Sequence, residues 1–188
     1  MEEKLLIGIT GASGAIYAKT MLKKLRSIEC KVEVIITEAG KLVWEHELGE
    51  PWLILKEYAD KVYEEKDISA PPASGSSAYS ALVIIPCSMG TLAGIATGQA
   101  RNLLLRAADV MLKERKPLIL VVRETPLSSI HLQNMLSVTL AGGVIFPAMP
   151  SFYNNPKNLE ELLSDFIDRL LQFLGIAANS KPWQGLNK

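Results

Sequence analysis

The chain has 188 residues, 48% of them hydrophobic, and its 20 basic and 20 acidic side chains give a formal net charge of zero. This length suits one domain with a sizeable core, and the balanced charge gives no basic field that would attract nucleic acid. The two cysteines lie far apart, so we expect no disulfide framework and a reducing, cytoplasmic compartment. The sequence contains no apolar run long enough to span a bilayer and starts without a secretory pattern, so no membrane partner is expected.

Apolar strands alternate with helical segments along the chain. We predict strands at 4–10, 31–37, 81–86, 117–122 and 143–147, and helices at 15–28, 39–47, 100–114, 128–140 and 158–174. Runs of Val, Ile and Leu separated by helices are typical of a parallel sheet with helices on both faces, hence an α/β domain. Residues 51–80 are predicted to be irregular, with one helical piece at 52–59 and a proline-glycine-serine loop at 71–77.

A glycine-rich turn follows the first strand. Gly8, Gly11 and Gly14 are spaced three apart, and Ser13 lies within the same turn. Glycine allows the backbone to approach a ligand closely, and the start of the next helix offers amide groups to an anion. The spacing matches neither the dinucleotide motif nor the P-loop. A tight strand-to-helix turn that simply needs small residues therefore remains an alternative.

Hydroxyl groups follow the next two strands. Thr37 ends the second strand, and Ser88, Gly90 and Thr91 come after the third. Hydroxyls and backbone amides together form a neutral cradle for a phosphate group. Cys87 has no histidine beside it, and we interpret it as a buried apolar residue rather than a nucleophile.

Charged side chains appear on the helix 100–114 and after the strand that follows it. Arg106, Asp109 and Lys113 share one helix face, which an ordinary solvated face with a salt bridge would also explain. Arg123 and Glu124 follow five consecutive apolar residues, where we expect burial. A guanidinium can bind phosphate with two hydrogen bonds, and a carboxylate can transfer protons. Because carboxyl ends of parallel strands meet at one edge, the sequence predicts a crevice for a phosphorylated cofactor.

The remaining candidates lie nearer the end of the chain. Tyr153 falls in a turn after the last strand, Arg169 in the last helix and Trp183 in the tail. Packing would by itself explain Tyr153 and Trp183. His46 and His131 are the only histidines and lie far apart, so we expect no metal site.

Several sequence blocks then become recognisable, in order, between residues 6 and 175: TGASGA, PPASGSS, PCSMGTLAGIATG, NLLLRAADVMLKER, VVRETPLSSIHLQNML and PAMPSFYNNP. They closely resemble the flavin prenyltransferase family of the UbiX type. The resemblance implies a flavodoxin-like or Rossmann-like sheet that binds FMN without a metal. It also implies transfer of a dimethylallyl group from dimethylallyl monophosphate to N5 and C6 of the reduced flavin. Prenylated FMN would then serve a UbiD-type decarboxylase, and the enzyme would be a homo-oligomer, a dodecamer in this family.

The resemblance also implies roles for individual residues. The FMN contacts would be Gly11, Ala12, Ser13, Thr37, Ser88, Met89, Gly90, Thr91 and Arg123. The prenyl phosphate would be held by Lys113, Tyr153 and Arg169, with Arg106 nearby. Ser13 and the carboxylates Glu47 and Glu124 would handle protons, Lys113 would stabilise the leaving phosphate, and Trp183 would close over the site.

Two further expectations concern the organisation of the chain and the alternatives to this function. Residues 1–175 would form the flavoprotein domain, 176–188 a tail that closes over the active site, and 71–77 a lid. The alternatives are an FMN-dependent cysteine decarboxylase, which would need a catalytic histidine, and a non-catalytic flavin-binding module. The latter would not need a second set of cationic residues.

Overall fold

The computed structural model describes residues 4–176 and residue 185. This part of the chain contains six strands: β1 Lys4–Ile9, β2 Lys31–Ile36, β3 Lys61–Glu64, β4 Ala81–Cys87, β5 Leu118–Val122 and β6 Val144–Ile145. It also contains seven α-helices: α1 Ala15–Ser27, α2 Glu38–Leu48, α3 Leu55–Tyr58, α4 Met89–Ala96, α5 Leu103–Lys113, α6 Ser129–Leu140 and α7 Leu159–Phe173. Short 3₁₀ turns occupy Trp52–Ile54 and Pro71–Ala73.

Two compact units make up the chain. The first, Met1–Ala148, contains the whole sheet and helices α1 to α6. The second, Met149–Lys188, contains α7, whose Asn158 side chain accepts a hydrogen bond from the Glu161 amide at 2.8 Å and so caps the helix. The expected boundary between residues 175 and 176 stays a prediction, because most of the tail lies outside the described residues. None of the helices described here combines the length and the apolar character that a membrane crossing requires.

The sheet forms because its central strands are almost entirely apolar. All six strands are parallel, in the order β3-β2-β1-β4-β5-β6, and every residue of β4 and β5 is buried. Burial along a whole strand requires cover on both faces. Helix α5 contacts one face so closely that a side chain at Gly8 would meet the Leu104 Cδ1 atom at 2.5 Å.

Two elements of the sheet unit were not predicted. The edge strand β3 has the sequence KVYE, whose charged ends and four-residue length give little strand signal. Helix α4 has the sequence MGTLAGIA, whose small residues give little helix signal, and no helix was predicted there. The 3₁₀ turn at Pro71–Ala73 also contradicts the expectation that 71–77 is devoid of helical structure.

Helix α6 leaves most of its apolar surface uncovered in the isolated chain. Val138 is its only buried residue, whereas Leu132, Leu136 and Leu140 are 55%, 51% and 79% exposed. These leucines are four residues apart and share one face of the helix. The sheet unit therefore presents an apolar stripe that the fold of a single chain does not bury.

The direction of the strand order reverses between β1 and β4. From β1 the chain builds one half of the sheet through β2 and β3, and from β4 it builds the other through β5 and β6. In open parallel sheets the loops at such a switch point diverge and leave a crevice at the carboxyl edge, where ligands bind.

Candidate functional site

The two loops at this switch point are joined by Thr10. Its hydroxyl donates to the Pro86 carbonyl at 2.7 Å and accepts from the Ser88 amide at 2.9 Å. Thr10 is 1% exposed, so these bonds fix the end of β1 against the end of β4 inside the protein. The floor of the crevice is therefore held rigidly.

A cavity of about 310 Å³ opens beside Thr10. Twelve residues line it: Thr10, Gly11, Thr37, Ala39, Glu65, Ser88, Gly90, Thr91, Arg101, Asn102, Leu104 and Leu105. Pockets for small ligands usually measure roughly 300–1,000 Å³, so this one can enclose part of a nucleotide-sized molecule. The hydroxyl turns predicted from the sequence thus meet at one cavity.

Two of the cavity's hydroxyl groups cap helices. The Thr37 side chain accepts from the Gly40 amide at 3.0 Å at the start of α2. The Ser88 side chain accepts from the Thr91 amide at 3.2 Å at the start of α4 and lies 3.1 Å from the Thr91 hydroxyl. Both helices therefore point their positive ends towards the cavity, which favours an anionic group.

Small residues bring the backbone close to the cavity. A Cβ at Gly11 would lie 2.5 Å from the Cβ of Ala39, so only glycine permits this approach of the first turn to α2. Gly14 ends the same turn with φ of 113°, a conformation that favours glycine, and α1 begins after it. Gly8, by contrast, lies within β1 beneath Leu104 and serves packing.

Ser13, Glu47 and Arg123 form a second cluster at the carboxyl edge. The Glu47 carboxylate accepts from the amides of Gly14 and Ala15, each at 2.8 Å, and the Arg123 Nε donates to the Ser13 carbonyl at 3.0 Å. Partial burial opposes ionisation of Glu47. Hydrogen bonds from the Ser13 hydroxyl and the two amides, with the charge of Arg123, outweigh it and hold the pKa of Glu47 below its usual value.

The expected burial is wrong for Glu124 and correct for Cys87. Glu124 is exposed and accepts from the Thr125 amide at 2.9 Å, so the expected burial of the Arg-Glu pair is wrong for this residue. The chain leaves the sheet directly after β5, which turns Glu124 outward. Cys87 is fully buried, and this burial raises the pKa of its thiol, as expected for a residue that is not a nucleophile.

Lys113 and Arg106 lie away from this cluster. Helix α5 starts at the cavity with Asn102 and runs for 11 residues, which at 1.5 Å per residue places Lys113 about 16 Å further along. There the Lys113 amine pairs with Glu114, beside Gly75. Arg106 donates to the Ala73 carbonyl at 3.1 Å and pairs with Asp109 at 2.5 Å.

The predicted lid at 71–77 lies against α5 rather than over the cavity. Its Ala73 and Ser77 carbonyls accept from Arg106 at 3.1 Å and from Lys116 at 3.0 Å. Since the Ser80 amide bonds to the Lys4 carbonyl at 2.9 Å, this loop leads to the amino edge of the sheet, opposite the cavity. Within one chain, these contacts separate the lid and Lys113 from the crevice.

The last three candidates belong to the second unit. Tyr153 is 47% exposed and Arg169, on α7, is also exposed. Trp183 lies outside the described residues.

Four polar residues that line the cavity were not singled out from the sequence: Thr10, Glu65, Arg101 and Asn102. Thr10 is the polar end of an apolar strand, and Asn102 precedes an apolar helix, a recognisable capping signal. Its side chain accepts from the Leu105 amide at 2.9 Å and donates to Glu65 at 2.7 Å. Glu65 has no such signal, because it follows the unpredicted strand β3.

In the part of the chain that the structure describes, no three His, Cys, Asp or Glu side chains lie together as a metal ion would require.

Comparison with known proteins assigns the chain to a family. The model of the flavoprotein family matches residues 1–165. The flavin prenyltransferase UbiX of Pseudomonas aeruginosa is 45% identical over 97% of this chain and 94% of its own length. The flavin prenyltransferase UbiX of Methanothermobacter thermautotrophicus is 45% identical over 96% of this chain and 95% of its own. The chain belongs to the UbiX family of flavin prenyltransferases.

Solved structures of UbiX proteins share the fold. The crystal structure of AnUbiX (PadA1) in complex with FMN and dimethylallyl pyrophosphate has a TM-score of 0.96 and 37% identity, each chain covering the other fully. A dodecameric FMN-dependent UbiX-like decarboxylase from Escherichia coli O157:H7 has a TM-score of 0.93 and 38% identity, over 97% of this chain and 100% of its own. The expected flavodoxin-like fold and the resemblance to the UbiX family are thereby confirmed.

A cysteine decarboxylase also has this fold, at a greater distance. The FMN-dependent enzyme SpaF has a TM-score of 0.63 at 16% identity, over 88% of this chain and 97% of its own, and shows the fold alone.

Proposed function

We propose that the protein is a flavin prenyltransferase that binds reduced FMN in the crevice between β1 and β4. It attaches a dimethylallyl group, taken from a dimethylallyl phosphate, to N5 and C6 of the flavin ring. The observation that carries this proposal is the pairing of a hydroxyl-lined cavity with a separate Ser13, Glu47 and Arg123 cluster at the same sheet edge. The full-length relatives named above support the same activity.

The cavity suits the phosphate end of FMN. Thr37, Ser88 and Thr91 offer neutral hydroxyl groups, and α2 and α4 direct their positive ends towards them. A Cβ at Gly90 would meet no other atom within 4 Å, so the backbone there is open to a ligand. When bound, the flavin supplies the nucleophilic nitrogen and carbon of the reaction. Gly11, Ala12, Ser13, Met89 and Arg123 would complete the contacts to it.

Glu47 acts as the proton acceptor of the site, through Ser13. Its pKa is held below the usual value, so the carboxylate is ionised at neutral pH and ready to receive a proton. The hydrogen bond between Ser13 and Glu47 lets the hydroxyl pass on a proton released next to it. General-base catalysis of this kind contributes roughly 10²–10⁴-fold to a rate. Glu124, the exposed residue that follows Arg123, is a second proton carrier.

Lys113 and Arg106 hold the prenyl phosphate for a neighbouring copy of the chain. Lys113 is about 16 Å from the start of α5, a distance that a lysine side chain cannot cover, so Lys113 serves a crevice only when another copy brings its crevice to it. Arg106 follows the cavity residue Leu105, but its side chain contacts the Ala73 carbonyl and Asp109 on the side of the helix that carries Lys113. The dodecameric state of the E. coli relative supports a homo-oligomer, and we propose a dodecamer here as well.

Tyr153 and Arg169 would contact the same phosphate, and Trp183 would cover the allyl group with its aromatic face. Cationic and hydroxyl groups around a departing anion stabilise it without a metal ion, and an aromatic face stabilises the allyl cation. The product, prenylated FMN, would pass to a UbiD-type decarboxylase. Cys30 and Cys87 are not joined by a disulfide, which suits a reducing compartment such as the cytoplasm.

The decisive experiment is a mass spectrum of the flavin after turnover. The protein is incubated without oxygen with reduced FMN and dimethylallyl monophosphate, with EDTA present, and the extracted flavin is expected to be heavier by one C₅H₈ unit. Parallel reactions with the pyrophosphate determine which phosphate ester the enzyme accepts. A boiled sample and a reaction without the prenyl donor are the controls.

An unchanged flavin mass with both phosphate esters would contradict the proposal. Release of CO₂ from a peptide with a C-terminal cysteine would instead support a cysteine decarboxylase. Bound FMN with neither product would support a non-catalytic flavin-binding module.

A further inference from the structure

We propose that Arg101 recognises the phosphate group of the flavin nucleotide and thereby makes the crevice select FMN over riboflavin. This inference rests on the proposed function, since it concerns the same cavity. It adds a specificity residue that the sequence did not indicate.

Arg101 has a fixed place in the cavity wall. It directly precedes Asn102, whose side chain caps α5 through the Leu105 amide at 2.9 Å and donates to the Glu65 carboxylate at 2.7 Å. The Leu103 amide adds a bond to the Glu65 carbonyl at 2.7 Å. These three bonds hold the backbone beside Arg101, so its side chain starts from a defined point on the cavity rim.

The distribution of charge in the cavity leaves the Arg101 guanidinium available to bind an anion. Among the described residues that line it, Arg101 carries the only positive charge and Glu65 the only negative one. The Glu65 carboxylate is committed to the Asn102 side chain at 2.7 Å and the Glu38 amide at 3.0 Å. The Arg101 guanidinium forms no hydrogen bond or ion pair with another residue of the described chain.

A phosphate group needs this cation here. A phosphate monoester carries roughly −1.5 to −2 charges at pH 7, and the Glu65 carboxylate in the same cavity repels it. The hydroxyls of Thr37, Ser88 and Thr91 donate hydrogen bonds but carry no charge to offset that repulsion. A guanidinium both balances Glu65 and presents two parallel N–H groups to phosphate oxygens. Riboflavin has no phosphate and gains nothing from Arg101.

The test compares FMN and riboflavin binding to the full-length protein by quenching of flavin fluorescence. Arg101→Gln is expected to weaken FMN binding roughly tenfold, the effect of losing a hydrogen bond to a charged group, and to leave riboflavin binding unchanged. Arg101→Lys keeps the positive charge but loses the pair of parallel N–H groups. Its FMN affinity is expected to lie between those of the unaltered protein and Arg101→Gln. Arg26→Gln removes an exposed arginine on α1, outside the cavity, and should change neither affinity.

Salt provides a second readout, because exposed charge pairs are screened as ionic strength rises. FMN affinity of the unaltered protein should fall more steeply with added NaCl than that of Arg101→Gln. Equal losses for FMN and riboflavin, or an unchanged FMN affinity, would each overturn the assignment of Arg101. If the unaltered protein binds neither flavin, the proposed function fails, a different result from the failure of Arg101 alone.

Discussion

Glu33 shows how a single carboxylate can be kept charged inside the sheet unit. It lies on β2, is 8% exposed and pairs with the Lys4 amine at 2.8 Å. The Tyr63 hydroxyl donates to it at 2.9 Å, and the Tyr79 hydroxyl donates to the same oxygen. Burial and the nearby carboxylate raise the pKa of Tyr63 to about 12, and they raise that of Tyr79 too. Both phenols therefore remain hydrogen-bond donors at any physiological pH.

We expect Glu33→Gln to lower the free energy of unfolding by about 2 kcal/mol, since two phenols and an amine lose their anionic partner. Urea denaturation at pH 7 measures this change. Glu57→Gln, an exposed substitution on α3, is the matched control and should have little effect. A loss as small as that of the control would show that the network contributes nothing to stability.

Glu33 should also make the stability of the protein depend on pH. Burial opposes the charge of Glu33, but hydrogen bonds from Lys4, Tyr79 and Tyr63 outweigh it and hold its pKa below the ordinary 4.5. A carboxylate with a lowered folded-state pKa stabilises the protein fully above that ordinary value. The stabilisation is lost as the pH falls through the folded-state pKa. The stability difference between the native chain and Glu33→Gln should therefore shrink below pH 4.5, in urea titrations repeated at successive pH values.

At the scale of elements, Asn102 couples the start of α5 to β3 and α2. Its side chain caps α5 and donates to Glu65, whose other carboxylate oxygen accepts from the Glu38 amide at the start of α2. Two walls of the cavity are thus connected through one carboxylate. The site depends on this connection as well as on the groups that would contact a ligand.

We expect Asn102→Ala to cost about 1–2 kcal/mol of stability through the lost cap, and also to weaken FMN binding, because Glu65 loses a partner in the cavity wall. Asn158→Ala removes an equivalent cap from α7, which is not part of this cavity. That control should lose a similar stability but retain FMN affinity. Thermal unfolding and flavin titration distinguish the two effects, and an unchanged FMN affinity in Asn102→Ala would contradict the coupling.

Elements with a strong local signal were predictable, and those defined by their neighbours were not. The apolar runs of β1, β2, β4 and β5 reveal the sheet because strands buried on both faces tolerate few polar residues. The four-residue strand β3 pairs only at the sheet edge, with β2, so its sequence has no such constraint. Small residues in α4 suit close contact with the cavity and weaken the helix signal.

The residues of the site that follow apolar strands could be predicted from the sequence, and those placed by other elements could not. Thr37, Ser88 and Thr91 could be found because a parallel sheet brings strand ends together. Glu65 could not, since its place depends on the unrecognised β3. Lys113 was grouped with the crevice because the family motif contains it. The motif does not say that an 11-residue helix places it beyond the reach of its own crevice.

At the scale of the whole molecule, the distance between Lys113 and the crevice of its own chain predicts complementation between two inactive variants. Lys113→Ala leaves the crevice intact, and Arg123→Ala leaves Lys113 intact. We expect each variant alone to lose turnover about 100-fold or more, because Lys113 stabilises the departing phosphate and Arg123 holds the Ser13 turn beside Glu47. If the two are co-expressed and their copies mix at random, about a quarter of the sites would regain both groups. The flavin mass assay measures the recovered activity.

Mixing the two purified variants without co-expression serves as the control and should stay inactive if copies do not exchange. A co-expressed mixture as inactive as its components would contradict the assignment of Lys113 to a neighbouring crevice.

The exposed leucines of α6 have a consequence for how the protein behaves on dilution. Leu132, Leu136 and Leu140 form a stripe that water contacts in a lone chain, and burying such side chains is favourable by roughly 1.5–3 kcal/mol each. If neighbouring copies cover this stripe, mass action links folding to the amount of protein present. The melting temperature would then rise with concentration, and a newly made chain would remain prone to aggregation until it met its partners.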